Sequence, residues 1–345
     1  MIAARARGQA GMSMLEVLVT LILAFVIFSI LYELVFAATQ VGMLTEGLND
    51  LSTLGQRAVN TIQTDVRQAK LVFQEDAIGT SYRTLFTSAL PPGMTVWTGS
   101  RMPILDANTT VIGPDPGPNN ITNRTGNSII VVRQLSPIAI PYDHDANAAT
   151  PNINFMADRY QFDYYFIRQD NTRKFGTLNY SLDLMQAKSQ IVADYYELNG
   201  VTVNRAQILT GLRAQSPAIT LAWDPGKALA APAFYNVNAA GTLTSNTTPV
   251  FTVTVASLLP EFKGGRVTGA MNYSVGLNYN AATFKVNDVS PAYATANSNF
   301  PGGFETMAVG PLSSRKVLAR LVLAVESRRQ LRSQESLVIT SAHGF

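Results

Sequence analysis

Residues Val17–Ala38 read VLVTLILAFVIFSILYELVFAA. The run holds one charge, Glu33, with Thr20 and Ser29 as its other polar groups, and neither Pro nor Gly interrupts it. About 20 apolar residues cross the hydrocarbon core of a bilayer as a helix, so length and composition predict a membrane-spanning helix here. Arg5 and Arg7 lie upstream, and the first basic residue downstream is Arg57. That asymmetry predicts a cytoplasmic N-terminus and an external chain beyond about Ala38. A cleaved secretory signal is the competing reading, with Val35-Phe36-Ala37 as its small-residue site. Secretory apolar regions run about 7–15 residues, however, and this one is longer and carries Glu16 and Glu33 at its two ends.

Outside this run the chain is also poor in charge. Of 345 residues, 14% are charged and 47% hydrophobic, which excludes a disordered polyelectrolyte. The formal charge is +3 and no dense basic patch occurs, so the sequence offers no footing for nucleic acid. Cysteine is absent, which excludes disulfides, thiolate metal sites and cysteine nucleophiles.

Glu16 stands on the first turn of a helix otherwise suited to lipid. A carboxylate there costs several kcal/mol unless it is neutralised or paired, which marks it as a functional residue. The plainer alternative is a headgroup-level position that complements the helix dipole. Just upstream the sequence reads Gly11-Met12-Ser13-Met14-Leu15-Glu16. A short basic leader ending in Gly, followed by an apolar helix whose fifth residue is Glu, resembles the type IV pilin family, including the pseudopilins of type II secretion. The resemblance implies that prepilin peptidase cuts between Gly11 and Met12 and methylates the new Met12 amine. Met12 departs from the Phe usual at that position. It implies also that Glu16 meets the Met12 ammonium of a neighbouring subunit in the filament, where each charge alone would be costly. Glu33 is a candidate for a second such contact, or a surface residue near the helix exit.

Beyond the span, Val41, Leu44, Leu48, Leu51, Ala58, Ile62, Val66 and Ala69 recur at helical spacings. Gln40, Glu46, Asn49, Asp50, Gln56, Asp65 and Arg67 fall largely off that stripe. Gly42, Gly47 and Gly55 each weaken such a helix by about 1 kcal/mol relative to Ala. After Val72 the texture becomes strand-like, with candidates Ser128–Leu135, Tyr160–Ile167, Lys174–Leu182, Ile191–Leu198, Ala218–Trp223, Val250–Ser257, Val267–Tyr279, Val317–Val325 and Ser336–Thr340. Asp106–Asn127 and Asn287–Gly303 read as long loops, and Leu182–Ala193 as a candidate short helix.

The expected fold class is therefore α+β, a long N-terminal helix packed on a large β-rich head. The expected organisation is a leader over 1–11, a filament-core helix over 12–38, its amphipathic continuation over 39–72 and a periplasmic head over 73–345. Within the family, the head size and the helix LGQRAVNTIQTDVRQAKL (Leu54–Leu71) are most similar to PilW-type minor pilins and the related J-type minor pseudopilin.

The head shows no nucleophile elbow, phosphate loop or dinucleotide motif. Its two histidines, His144 and His343, are too few for a His-rich metal site. Asp143, Asp145 and Asn147 open like a calcium loop, but Ala148 replaces the required Gly and Asn154 the closing Glu, so an ordinary polar turn competes with calcium. No other cofactor is expected. The resemblance implies a structural, assembly-priming subunit of a pilus or pseudopilus, not an enzyme. Its implied partners are other minor and major pilins, prepilin peptidase, the inner-membrane assembly platform and the membrane. It is implied to wait in the inner membrane with its head in the periplasm before entering the filament. A different class, a membrane-tethered β-rich enzyme or carbohydrate-binding protein, uses the same helix only as an anchor.

Overall fold

A computed structural model describes residues 14–97, 100–104, 126–147, 149–172, 181–238, 240–259, 267–270, 304–311, 315–327 and 330–342. The architecture is α+β, with one long N-terminal helix and a large sheet-rich region. The chain divides into two compact units, Met1–Asn49 and Asp50–Phe345. Helix α1 (Met14–Arg67) runs through both. It stops at Arg67, and Ala69–Val72, expected as its last turn, is instead strand β1.

In the first unit α1 is apolar on every side. From Met14 to Met43 each described side chain is exposed except that of Ala24, which is half-buried. Within the second unit the helix becomes one-sided: Leu51, Ala58, Val59, Ile62 and Val66 are buried. All but Val59 lie on the expected stripe, because a helical face repeats every three or four residues.

The head is organised on a nine-stranded sheet in the order β1-β2-β3-β5-β6-β7-β8, with β4 also on β3 and β9 on β4. Its spine is the antiparallel pair β2 (Ser128–Tyr142) and β3 (Ile153–Asp170), in register from Ser128↔Phe166 to Tyr142↔Ile153 with an irregularity between Leu135 and Ile138. Pro137 lies within that irregularity, where a residue without an N–H removes no ladder bond. Strand β3 is shared: Arg159 and Tyr160 pair with β5 (Val192–Asp194), and Asp163–Asp170 with β4 (Ser181–Ser189). Strands β6 (Leu221–Trp223), β7 (Phe234–Val237) and β8 (Leu243–Asn246) continue one side, and β9 (Val253–Ser257) closes on β4. A second, four-stranded sheet has β12 (Lys316–Ser327) paired with β10 (Val267–Ala270), β11 (Phe304–Val309) and β13 (Gln330–Ser341).

The main core lies on one face of β3. Alternate residues Tyr160, Phe162, Tyr164 and Phe166 point into it, as a pleated strand requires, and meet α2 (Ala77–Ala89), Trp223, Phe234 and Phe251. Helix α2 begins at Asp76, whose Oδ1 accepts from the Gly79 N–H at 2.7 Å, while Oδ2 accepts from Gln74 Nε2 at 2.7 Å. Gly79 is required here, since a Cβ would stand 2.0 Å from the Gln74 carbonyl oxygen. Removing the cap in Asp76→Ala is expected to cost about 1 kcal/mol. The check is a lower urea midpoint at unchanged slope, and an unchanged midpoint would show that the cap is not formed. A second core, on Ala193, Ala222 and Val237, is covered by α3 (Tyr195–Gly200) and α4 (Arg205–Arg213) through Leu198, Ile208, Leu209 and Leu212.

Two local expectations fail. Leu182–Ala193, expected as a helix, is strand β4 followed by the start of β5. Its pairing with β3 and β9 supplies backbone partners on both edges, which outweighs local helix propensity. The expected strand Ile191–Leu198 ends at Asp194, whose Oδ1 accepts from the N–H groups of Tyr196 (2.6 Å) and Glu197 (3.1 Å) and so starts α3. Most of Lys174–Leu182, the part of Val267–Tyr279 beyond Ala270, nearly all of Asp106–Asn127 and the whole of Asn287–Gly303 lie outside the described residues.

Candidate functional site

The first candidate is the N-terminal helix. Gly11 and Met12, the expected cleavage and methylation positions, lie outside the described residues. Glu16 is in the first turn of α1, and its own carbonyl accepts from Thr20 Oγ1 at 2.7 Å. Met14–Ala38 measures about 37 Å as a helix at 1.5 Å per residue, against about 30 Å of bilayer hydrocarbon. Phe25, Phe28 and Tyr32 are each at least 70% exposed. By length and composition α1 can cross a membrane.

The second candidate, Asp143–Asn147, is an exposed turn after β2. Its oxygens serve its own backbone: Asp143 Oδ1 accepts from the Asp145 N–H (3.3 Å), Asp145 Oδ1 from Asn147 (3.0 Å) and Asn147 Oδ1 from Ala149 (3.1 Å). Thr150 Oγ1 also donates to Asp145 Oδ1 at 2.7 Å, and this bond holds the Asp145 carboxyl below its usual range. Ala146 sits at φ 57°, in the left-handed region, while Ala148, at the position where a calcium loop has Gly, lies outside the described residues. His144 is exposed beside it, and His343 lies outside the described residues. Among the described residues no three His, Cys, Asp or Glu side chains gather as a metal site.

A third constellation escaped the sequence reading. Asp65, placed off the apolar stripe of α1, is only 5% exposed. It lies over the face of β2–β3–β4 opposite the aromatic core. Its Oδ2 accepts from the Tyr165 hydroxyl and from Gln186 Nε2 at 2.9 Å, and its Oδ1 is 3.2 Å from Arg133 Nη1. Arg133 Nε donates to Asp163 Oδ2 and its Nη2 to Gln161 Oε1 at 2.9 Å, while Gln186 Nε2 reaches Asp163 Oδ1 at 3.2 Å. Burial pushes the Asp163 carboxyl up to about 6; Arg133 opposes that rise and Asp65 adds to it. Burial likewise raises the Tyr165 hydroxyl well above its ordinary value. Burial lowers the Arg133 guanidinium, but the Asp163 and Asp65 charges outweigh it and the net direction is up. Two signals in the sequence pointed here: an acid inside the strand YQFDYYFI and a base closing SIIVV. Both are polar residues at inward positions, which fold only with a partner. The cluster is largely buried and joins α1 to the sheet.

No protein-family model, curated protein or solved structure matches the chain.

Proposed function

We propose that this chain is a minor pilin, a structural and assembly-priming subunit of a type IV pilus or the related secretion pseudopilus. The single observation that carries the reading is the spacing Gly11-Met12 to Glu16 ahead of an uninterrupted helix whose apolar side chains stand exposed over nearly all of Met14–Met43. In this reading the chain sits in the inner membrane as a single span, N-terminus in the cytoplasm and head in the periplasm. Prepilin peptidase hydrolyses the Gly11–Met12 bond and methylates the new amine. The Met12 ammonium of one subunit then neutralises Glu16 of the next as the helix moves from lipid into the filament. The pair works as a register device, because either charge alone in that apolar setting is costly. A head of this size suits a priming or tip position with other minor pilins.

Intact mass of the protein from its native membrane is expected to correspond to a chain starting at N-methyl Met12. Glu16→Ala is expected to abolish copurification with other pilins while leaving the membrane location unchanged. An uncut leader, or a start near Ala38, overturns the reading and favours a tethered or secreted β-rich protein. Unchanged copurification of Glu16→Ala removes the register role.

A further inference from the structure

The cluster under α1 holds two carboxylates and one guanidinium in a space from which water is largely removed. Asp163 is fully buried, Asp65 and Gln186 are each 5% exposed, and Tyr165 is buried. The groups that face Asp163 come from every element packed around it: Asp65 from α1, Arg133 from β2, Tyr165 from β3 itself and Lys188, its register partner, from β4. Gln161, Gln186 and Gln68 complete the shell with neutral amides. Lys188 is half-exposed and so keeps much of its own hydration. Arg133, its side chain 11% exposed, is the cation bonded to both acids, while the acids themselves lie deeper, so with both ionised the most deeply buried groups carry an excess negative charge. Like charges sharing one site favour retaining a proton between them.

We propose that Asp65, Arg133 and Asp163 form a proton-dependent latch: one proton on the carboxylate pair neutralises the cluster and tightens the outer half of α1 on the sheet, and its release loosens that grip. The placement of the partners explains why the effect falls on α1. Asp163 and Arg133 stay paired across adjacent strands β2 and β3, whereas Asp65 is the only acid of the set that leaves if the helix lifts. Separating Asp65 from Asp163 relieves the repulsion, so deprotonation favours lifting. The sign agrees with the raised Asp163 titration: the folded state binds a proton that the opened state releases, so the stabilisation is present at low pH and lost as pH rises through about 6. The latch stands independently of any pilin role.

Hydrogen–deuterium exchange on the full chain in detergent micelles tests it. After correction for intrinsic exchange, protection of Ala58–Val66 is expected to fall about tenfold between pH 5 and pH 7, the linkage for a carboxyl returning to about 3.9 on opening. Protection of α4, whose buried residues Ile208, Leu209 and Leu212 lie in the second core, is expected to stay level and serves as the internal reference. Asp163→Asn and Asp65→Asn, which each leave one acid against Arg133, are expected to flatten the α1 response. An infrared titration of the unmodified protein needs no variant: a protonated-carboxyl band present at pH 5 is expected to fade with a midpoint near 6. A flat wild-type response, an equal fall in α4, an equal fall in both variants, or no such band overturns the latch.

Discussion

Arg133→Met is expected to destabilise the head by about 3–5 kcal/mol at pH 7.5, the cost of removing one partner from a buried charge cluster. Methionine fills much of the space of the arginine stem, so the loss reports charge more than volume. Two acids then face each other across α1 and β3, with only the half-exposed Lys188 left to face Asp163. Protonation relieves that repulsion, so the deficit is expected to shrink as pH falls below 6, the opposite of what a packing defect would show. Urea unfolding of the detergent-solubilised full chain, followed by the fluorescence of buried Trp223, measures it. A loss under about 1 kcal/mol, or one independent of pH, would mean that the carboxylates keep other compensation.

Phe162→Ala should act with similar size through a different cause. Its ring is fully buried and lies 5.1 Å from Trp223, 5.7 Å from both Tyr82 and Phe251, and 5.8 Å from Phe234, centroid to centroid. Deleting it removes the side chain on which α2, β6, β7 and the segment before β9 converge. Such truncations cost about 3–5 kcal/mol, as lost transfer energy plus the cavity left behind. The expected signature is a lower urea midpoint with unchanged slope and no pH dependence between 5 and 8. That flat profile separates it from Arg133→Met, although the two positions lie on adjacent strands. A small effect would place the weight of this core on other rings.

How much of this could be read in advance follows from the range of the interactions involved. The membrane-length helix was visible in Val17–Ala38 because every helical hydrogen bond is local and an unbroken apolar run states its own solvent. The strands at Ser128–Leu135 and Tyr160–Ile167 were visible for a related reason: alternation or an apolar run records which faces are buried. Helices α2 and α4 were missed because their apolar faces, Tyr82 with Phe86 and Ile208 with Leu209 and Leu212, are short and offset by threonine, glycine and arginine. The segment Leu182–Ala193 was misread because its ladder partners lie elsewhere in the chain, and no local pattern carries that information.

The same reasoning separates the two candidate sites. Glu16 declared itself from neighbours within a few residues, since an acid in an apolar helix is conspicuous whatever the rest of the chain does. Asp65 gave no such sign. Its partners Tyr165 and Gln186 are 100 and 121 positions away, and on a helix that is polar elsewhere an aspartate passes for a solvated residue. Its burial depends on which turn of α1 faces β3, a choice made when strands distant in sequence pair and expose one flat surface for the helix to cover. Local chemistry thus marks the membrane-length helix and the acid on its first turn, while long-range packing creates the buried charge cluster, because only folding removes the water that makes its charges matter.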